Sequence, residues 1–333
     1  MESVLVTGGA GFIGSNIAEA LLKQGHRVIV LDDLSSGRKE NIAHLFDLDN
    51  FKFFPGSILD SGLLRSLMRT YQVQSISHQA AIPSVVKSIQ EPVKTIEANV
   101  AGTTNLFDIA AESHVKKIVF ASSCAVYGDG PESPKREDFA MKPLSPYAVS
   151  KAAKEMLAQN FCSLHKMHIV GLRYFNVYGR RQDPTSGYAA VIPIFVTKAV
   201  KNEPIPVEGG GGQTRDFVYI DDVVRANLVA LKADGCAGQC FNIASGASIS
   251  IRELADMIIR ISGSQSAVVH KPGRQGDIQE SRADIGAAGQ GLDFTPEYDI
   301  ARGLEKTITW YRTWCGMPLP GRCNDRQEMA ISR

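Results

Sequence analysis

Thr7-Gly8-Gly9-Ala10-Gly11-Phe12-Ile13-Gly14 follows a short apolar run over residues 3–7 and precedes an amphipathic segment over residues 15–24. A strand, a glycine turn and a helix, in that order, open a dinucleotide-binding unit. Gly8 and Gly11 let the backbone approach a pyrophosphate at the positive end of the helix, and Gly14 lets helix and strand pack closely. Glycine-rich turns also occur in loops that bind nothing, so the next segment decides. A second strand over 27–31 ends in Asp32-Asp33, about 20 residues after the glycines, where a carboxylate accepts hydrogen bonds from ribose hydroxyls. The same charge repels a 2′-phosphate, which favours NAD over NADP; Arg38 is the one contrary residue.

Outward from this unit the alternation continues. Strand patterns over 51–55, 75–78, 117–122 and 169–172 are interleaved with helical patterns over 63–70 and 93–113 and a helix that begins near 145. Such repeats specify a parallel sheet with helices on both faces and ligand at the carboxyl ends of the strands. The expected fold class is α/β, a Rossmann-type doubly wound parallel sheet. Residues just past strand ends are then the informative ones: Ser57 and Ile58, Gln79, Ala80 and Ala81, Ser122 and Ser123. Small residues there serve tight packing as well as cofactor approach, and His78 reads as a packed strand-end histidine.

Beyond residue 175 the pattern loosens into a helix over 190–200, a short strand over 204–207 and a glycine run over 209–212 that a linker would explain. A helix over 220–231, a late strand over 239–243 able to rejoin the sheet and a helix over 299–314 follow. The expected division is an NAD-binding domain over 1–175, rejoined by about 216–245, a smaller C-terminal substrate-binding α/β lobe over 176–320, and a polar tail over 321–333.

Composition narrows the function. The 333 residues are 44% hydrophobic and 21% charged with a formal net charge of +1. That balance gives no global attraction for nucleic acid or an anionic membrane, so an anionic ligand must be held by locally placed groups. A small-molecule partner is expected. No stretch reaches about 18 uninterrupted apolar residues, and the first residues enter a strand without a basic region and long apolar run, which points to the cytoplasm. Six cysteines are scattered without a CxxC pair and no HExxH occurs, so reduced thiols and no metal site are expected.

Ser145-Pro146-Tyr147-Ala148-Val149-Ser150-Lys151 places a phenol and an ammonium four residues apart where a helix begins. Both side chains then project from one face, and the cation is expected to bring the phenol from near pH 10 towards neutrality, making Tyr147 a general base. An isolated YxxxK is ordinarily a surface tyrosine and lysine; here the surroundings argue otherwise. Ser123 leaves a strand end about two dozen residues earlier, and its hydroxyl and the phenol can flank one substrate carbon.

Together, Thr7 to Gly14, Ser122-Ser123 with Val126-Tyr127-Gly128, Ser145-Pro146-Tyr147 with Lys151, Leu172-Arg173-Tyr174-Phe175-Asn176, and Arg215-Asp216 resemble the extended short-chain dehydrogenase/reductases. More narrowly they resemble UDP-hexose 4-epimerases of the branch that acts on N-acetylated sugars, over roughly residues 1–315. The resemblance implies a tightly bound NAD and a UDP-sugar substrate. It gives Tyr147 as base, Lys151 as the residue that lowers its pKa and holds the nicotinamide ribose, and Ser123 as hydroxyl partner.

For the cofactor the resemblance adds Phe12 and Ile13 to Gly8 and Gly11, and Ser36 and Gly37 to Asp32. It further implies Ser57, Ile58, Gln79, Ala80, Ala81, Asn99, Ser122 and Tyr174. On the substrate side Asn176, Arg215 and Arg274 would hold the diphosphate and Asp277 the uridine ribose, with Ser84, Val191 and Val207 nearby. Ser281 would stand beside the sugar's C2 substituent, where enzymes confined to glucose and galactose resemble one another in a bulky tyrosine. Ser57 departs from an acidic residue found in many relatives, and Pro83 replaces a lysine found in some.

Three rivals are weighed. A nucleotide-sugar 4,6-dehydratase would need an Asp-Glu pair where Cys124 and Ala125 stand. A UDP-glucuronate epimerase or decarboxylase stays open. A non-catalytic NAD-binding regulator would have no use for Ser123, Tyr147 and Lys151. The resemblance also implies a homodimer through helices around 95–111 and 147–163.

Overall fold

The apolar run Ser3–Thr7 forms β1, and its side chains go alternately to two cores: Val4 and Val6 enter one, Leu5 the other. β2 (Arg27–Asp32) repeats the division, with Val28 and Val30 on one face and Ile29 and Leu31 on the other. Strands buried on both faces need apolar residues at successive positions, which is why these read as continuous runs. The computed structural model describes residues 1–185, 190–273 and 279–317.

Helix α1 (Phe12–Lys23) links β1 to β2. β3 (Phe51–Pro55), α2 (Ser61–Tyr71), β4 (Ser75–His78), α3 (Val85–Gln90), α4 (Pro92–Ile96), α5 (Gly102–Glu112) and β5 (Lys117–Ser123) follow. Next come α6 (Pro146–His165), β6 (His168–Tyr174), β7 (Asn176–Tyr178), α7 (Val191–Val200), β8 (Ile205–Glu208), β9 (Thr214–Tyr219), α8 (Ile220–Lys232) and β10 (Cys240–Ile243). The described chain closes with β11 (Ser248–Ser250), α9 (Ile251–Ser262), β12 (Val268–Lys271), β13 (Glu280–Ser281), α10 (Gly286–Leu292) and α11 (Ile300–Trp314).

Seven strands form one parallel sheet in the order β10-β6-β5-β4-β1-β2-β3. The expected doubly wound α/β fold is present, and the late strand joins the edge beside β6. Helices α2, α5 and α6 bury Leu67, Phe107 and Phe161 on one face. On the other, α1 and α8 bury Ile17 and Val223 in a core that runs on to α7, α9 and α11. β9 pairs with β7, β11 and β13, and β8 with β12. The strand order reverses between β1 and β4, the place where such sheets open a crevice for ligand.

Two sequence expectations need correction. The single helix over 93–113 is divided: α4 ends at Ile96, Glu97–Ala101 forms a wider turn, and α5 starts at Gly102. The glycine run is a tight turn instead of a linker, because Gly209 and Gly211 take φ of +60° and +73° between β8 and β9. Among the described residues no helix is long and apolar enough to cross a membrane.

Candidate active site

Gly8 and Ala80 meet at the reversal point. Gly8 has φ +69°, and a Cβ on it would lie 2.6 Å from the Ala80 nitrogen; one on Gly14 would lie 2.2 Å from the Gly8 carbonyl oxygen. The turn therefore needs glycine at both places. Gly11 caps α1 with no side chain bonded to the first amides, while Phe12 and Ile13 are half-buried in its first turn. Unsatisfied amides at a positive helix end are what a diphosphate requires. At the end of β2 the buried Asp32 carboxylate accepts from the Ala10 nitrogen at 2.9 Å and the Leu34 nitrogen at 2.8 Å. Burial raises its pKa against those bonds, and a carboxylate retains acceptor capacity for ribose hydroxyls. Gly37 packs on Asp32, since a Cβ there would stand 2.8 Å from its oxygen, and Ser36 beside it is exposed. These features fit a dinucleotide.

Arg38, the contrary residue, is engaged elsewhere: its Nη2 lies 2.8 Å from Asp183 Oδ2 and 3.3 Å from Thr185 Oγ1. Ser57 accepts from the Leu59 nitrogen at 3.2 Å, and Ile58 is buried. Gln79 donates to Ser77 and Asn227, while the Tyr174 hydroxyl donates to Gln79 Oε1 at 3.3 Å and accepts from Asn227 at 2.8 Å. Buried Asn99 projects from the wide turn, bonding Ile82 on both its nitrogen and carbonyl and donating to Ser150 at 2.9 Å. Its amide braces the segment just past Ala80 and Ala81.

Tyr147 and Lys151 stand where the helix signal puts them. Ser145 caps α6 by accepting from the Ala148 nitrogen, and Pro146, with no N–H to satisfy, occupies the first position. Ser123, at the end of β5, lies near enough to the phenol for its hydroxyl to favour the phenolate. The expected charge relationship, however, is not present. Lys151 Nζ is 5.5 Å from the Tyr147 ring centroid and donates to the Ala121 carbonyl at 2.8 Å. Burial pushes the phenol up to about 12 despite the opposing influence of the Ser123 hydroxyl, and pulls the Lys151 ammonium down to about 8 despite the Glu155 charge. Desolvation outweighs a cation at this distance.

Two acids that the sequence reading left without a role hold the site together. Glu155 lies one helical turn beyond Lys151; Arg173 grips it bidentately at 3.0 and 2.7 Å, and Ser122 donates to it. Arg173 also donates to the Tyr127 hydroxyl at 2.7 Å, which donates to Asn242. The second acid, Asp216, is fully buried and accepts from Ser245, Gly246 and Ala283 nitrogens. Its own carbonyl takes the Asn176 amide at 2.9 Å.

Asp216 thereby fixes its neighbour Arg215, whose β-partner across β13 is Ser281. Arg215 and Asp216 both act on the Cys124 thiol, which also bonds Ser123. Ser84 caps α3, and half-buried Val191 opens α7. The Val207 side chain is fully buried, with Gly211 folded back on it. Arg274 and Asp277 lie outside the described residues, as does the tail over 321–333. Among the described residues no group of three or more His, Cys, Asp or Glu side chains could hold a metal ion.

Residues 4–244 match the model of the NAD dependent epimerase/dehydratase family. A UDP-glucose 4-epimerase of Mycolicibacterium smegmatis is 39% identical over 309 residues, 92% of this chain and 98% of that one. A UDP-glucose 4-epimerase of Thermotoga maritima solved with UDP-glucose has a TM-score of 0.89 at 35% identity, covering 94% of this chain and 99% of that chain. A UDP-N-acetylglucosamine 4-epimerase of Methanobrevibacter ruminantium M1, in complex with UDP-N-acetylmuramic acid, gives the same TM-score, identity and coverage.

Proposed function

Because this chain belongs to the NAD dependent epimerase/dehydratase family, we propose that it epimerises a UDP-hexose at C4, interconverting UDP-GlcNAc and UDP-GalNAc and also UDP-Glc and UDP-Gal. The observation that carries this reading is that Ser123 at the end of β5 lies near enough to Tyr147 on α6 to act on its phenol, beside Cys124 and Ala125. Burial holds the Cys124 thiol near 11, and alanine has no proton to give. Neither can move the protons that a 4,6-dehydration requires.

NAD, held by the glycine turn and Asp32, would supply a reversible hydride acceptor for C4. Tyr147 removes the proton of the 4-hydroxyl, directly or through Ser123, and restores it after the 4-keto sugar has turned its other face. Asn176 and Arg215 keep the diphosphate still during that turn. Such a group carries about two negative charges, which guanidinium binds bidentately.

Sugar choice follows from Ser281. It is half-buried beside Arg215, and a serine leaves room for an acetamido group that a tyrosine would fill. Overpacking a site costs about 1 to 3 kcal/mol, whereas an unfilled gap costs a smaller ligand less. Ser281→Tyr should lose the N-acetylated pair and keep the plain pair. A wild type inactive on UDP-GlcNAc, or a tyrosine variant that still turns it over, removes the argument.

A homodimer through the helices around 95–111 and 147–163 is part of the same proposal. Ile96 is 38% exposed on the first of these, and Val149 and Met156 are 45% and 63% exposed on the second. Apolar side chains at that density on packed helices favour a covering surface. Light scattering at a mass near the 36.1 kDa of one chain would refute it. The free thiols of the described cysteines support cytoplasmic residence.

A further inference from the structure

β9 changes partners along its length: Thr214 and Arg215 pair with Glu280 and Ser281 of β13, whereas Phe217 to Tyr219 pair with β7. Asp216 stands between the two pairings, fully buried. Its carboxylate Oδ1 accepts from the Ser245 nitrogen at 2.8 Å and the Ser245 hydroxyl at 2.7 Å. Oδ2 accepts from the Gly246 nitrogen at 3.1 Å and the Ala283 nitrogen at 3.2 Å. The anion is the form that satisfies all four, since a proton on either oxygen would displace a donor. The main-chain carbonyl of the same residue takes the Asn176 amide at 2.9 Å, and Arg282 joins the two tied segments through the Gly246 carbonyl at 3.0 Å.

We propose that Asp216 is the positioning residue of the diphosphate site. Its carboxylate draws the β10–β11 loop and the segment after β13 onto β9, and so sets Arg215, Asn176 and Ser281 relative to one another for a nucleoside diphosphate. This rests on the reading that Asn176 and Arg215 hold that group. A diphosphate is remote from C4 and is held alike in ground and transition states, so loosening its grip weakens binding and spares the chemical step. Ser123 and Tyr147 stand apart from these segments, on β5 and α6. Asparagine can replace one oxygen only. Towards Gly246 and Ala283 its NH2 would meet two amides, so it turns to Ser245, whose hydroxyl then accepts and gives its proton to the Ala247 carbonyl at 3.0 Å. Asp216→Asn therefore keeps the Gly246 and Ala283 ties and loses the bond from the Ser245 nitrogen.

Titration calorimetry of the NAD-loaded protein with UDP is the test. Asp216→Ala should bind UDP about thirtyfold more weakly and Asp216→Asn about threefold, each with wild-type NAD content. KM for the UDP-hexose should rise by the same factors, with kcat per NAD-loaded protein little changed. Unchanged UDP affinity in Asp216→Ala overturns the proposal, as does a fall in kcat at constant KM, which fewer folded molecules would give. A wild type that binds no UDP removes the substrate reading and this proposal together, so the wild-type titration tells the two failures apart. Should Asp216→Ala not fold, Asp216→Asn is combined with Ser245→Ala. Without the hydroxyl the carboxamide has no acceptor to turn to, and the double variant should lose at least about threefold more UDP affinity than the two single losses multiplied. A multiplicative loss overturns the proposal.

Discussion

Lys151 Nζ and the Tyr147 ring centroid are 5.5 Å apart, with the ammonium bonded to the Ala121 carbonyl rather than to the phenol. A phenol near 12 beside a lysine near 8 is not yet a base. The nicotinamide ring of oxidised NAD brings a further positive charge, which favours phenolate. The phenol should therefore titrate near 12 in cofactor-free protein and lower in NAD-loaded protein. Binding then releases a proton, so NAD affinity should strengthen with rising pH between the two values, by up to about tenfold per pH unit. Ultraviolet difference titration of both forms checks this; identical curves would leave the base unactivated by cofactor.

Tyr147→Phe removes one oxygen and little volume. Turnover should fall by about 10² to 10⁴ while circular dichroism and NAD content stay unchanged. A variant that keeps more than half the activity shows that the base is another group.

Gly8 combines φ +69° with a missing side chain 2.6 Å from Ala80. Gly8→Ala strains the turn and pushes the Ala80 segment away from β1. The purified variant should carry far less NAD than wild type, measured by extraction after boiling, and full occupancy would count against the cofactor site described above.

Asp183 holds Arg38 at 2.8 Å. Asp183→Ala releases that guanidinium near Asp32, and Asp32→Ser removes the carboxylate that repels a 2′-phosphate. The double variant should bind NADP at least about tenfold more tightly than the two single effects combined would give, a coupling of about 1.4 kcal/mol. Additive effects in titration calorimetry would show that Arg38 has no access to the ribose.

The sheet was legible because β1, β2, β5 and β6 carry apolar residues at successive positions and their ends carry small or polar residues. The catalytic helix was legible from Ser145-Pro146 and the four-residue spacing behind it. Helix α9 went unread although Ser250 and Glu253 form a capping box, a local signal that needed no structure. Other features lay beyond a single sequence. Asp216 and Glu155 are buried, whereas charged residues ordinarily lie at the surface. Their roles depend on strands and loops brought together from distant parts of the chain. Pairing position told of Arg215 and Ser281 only after β9 and β13 were in register, and a four-residue strand did not reveal that the Val207 side chain faces inward.

The C4 hydrogen of UDP-GlcNAc gives the most direct measurement. Purified protein incubated with that substrate in deuterium oxide and followed by proton NMR should yield UDP-GalNAc with the hydrogen at C4 retained, because the same hydride returns to the sugar that gave it. Deuterium at C4, a 4-keto-6-deoxy product, or no conversion of any UDP-hexose would contradict the account.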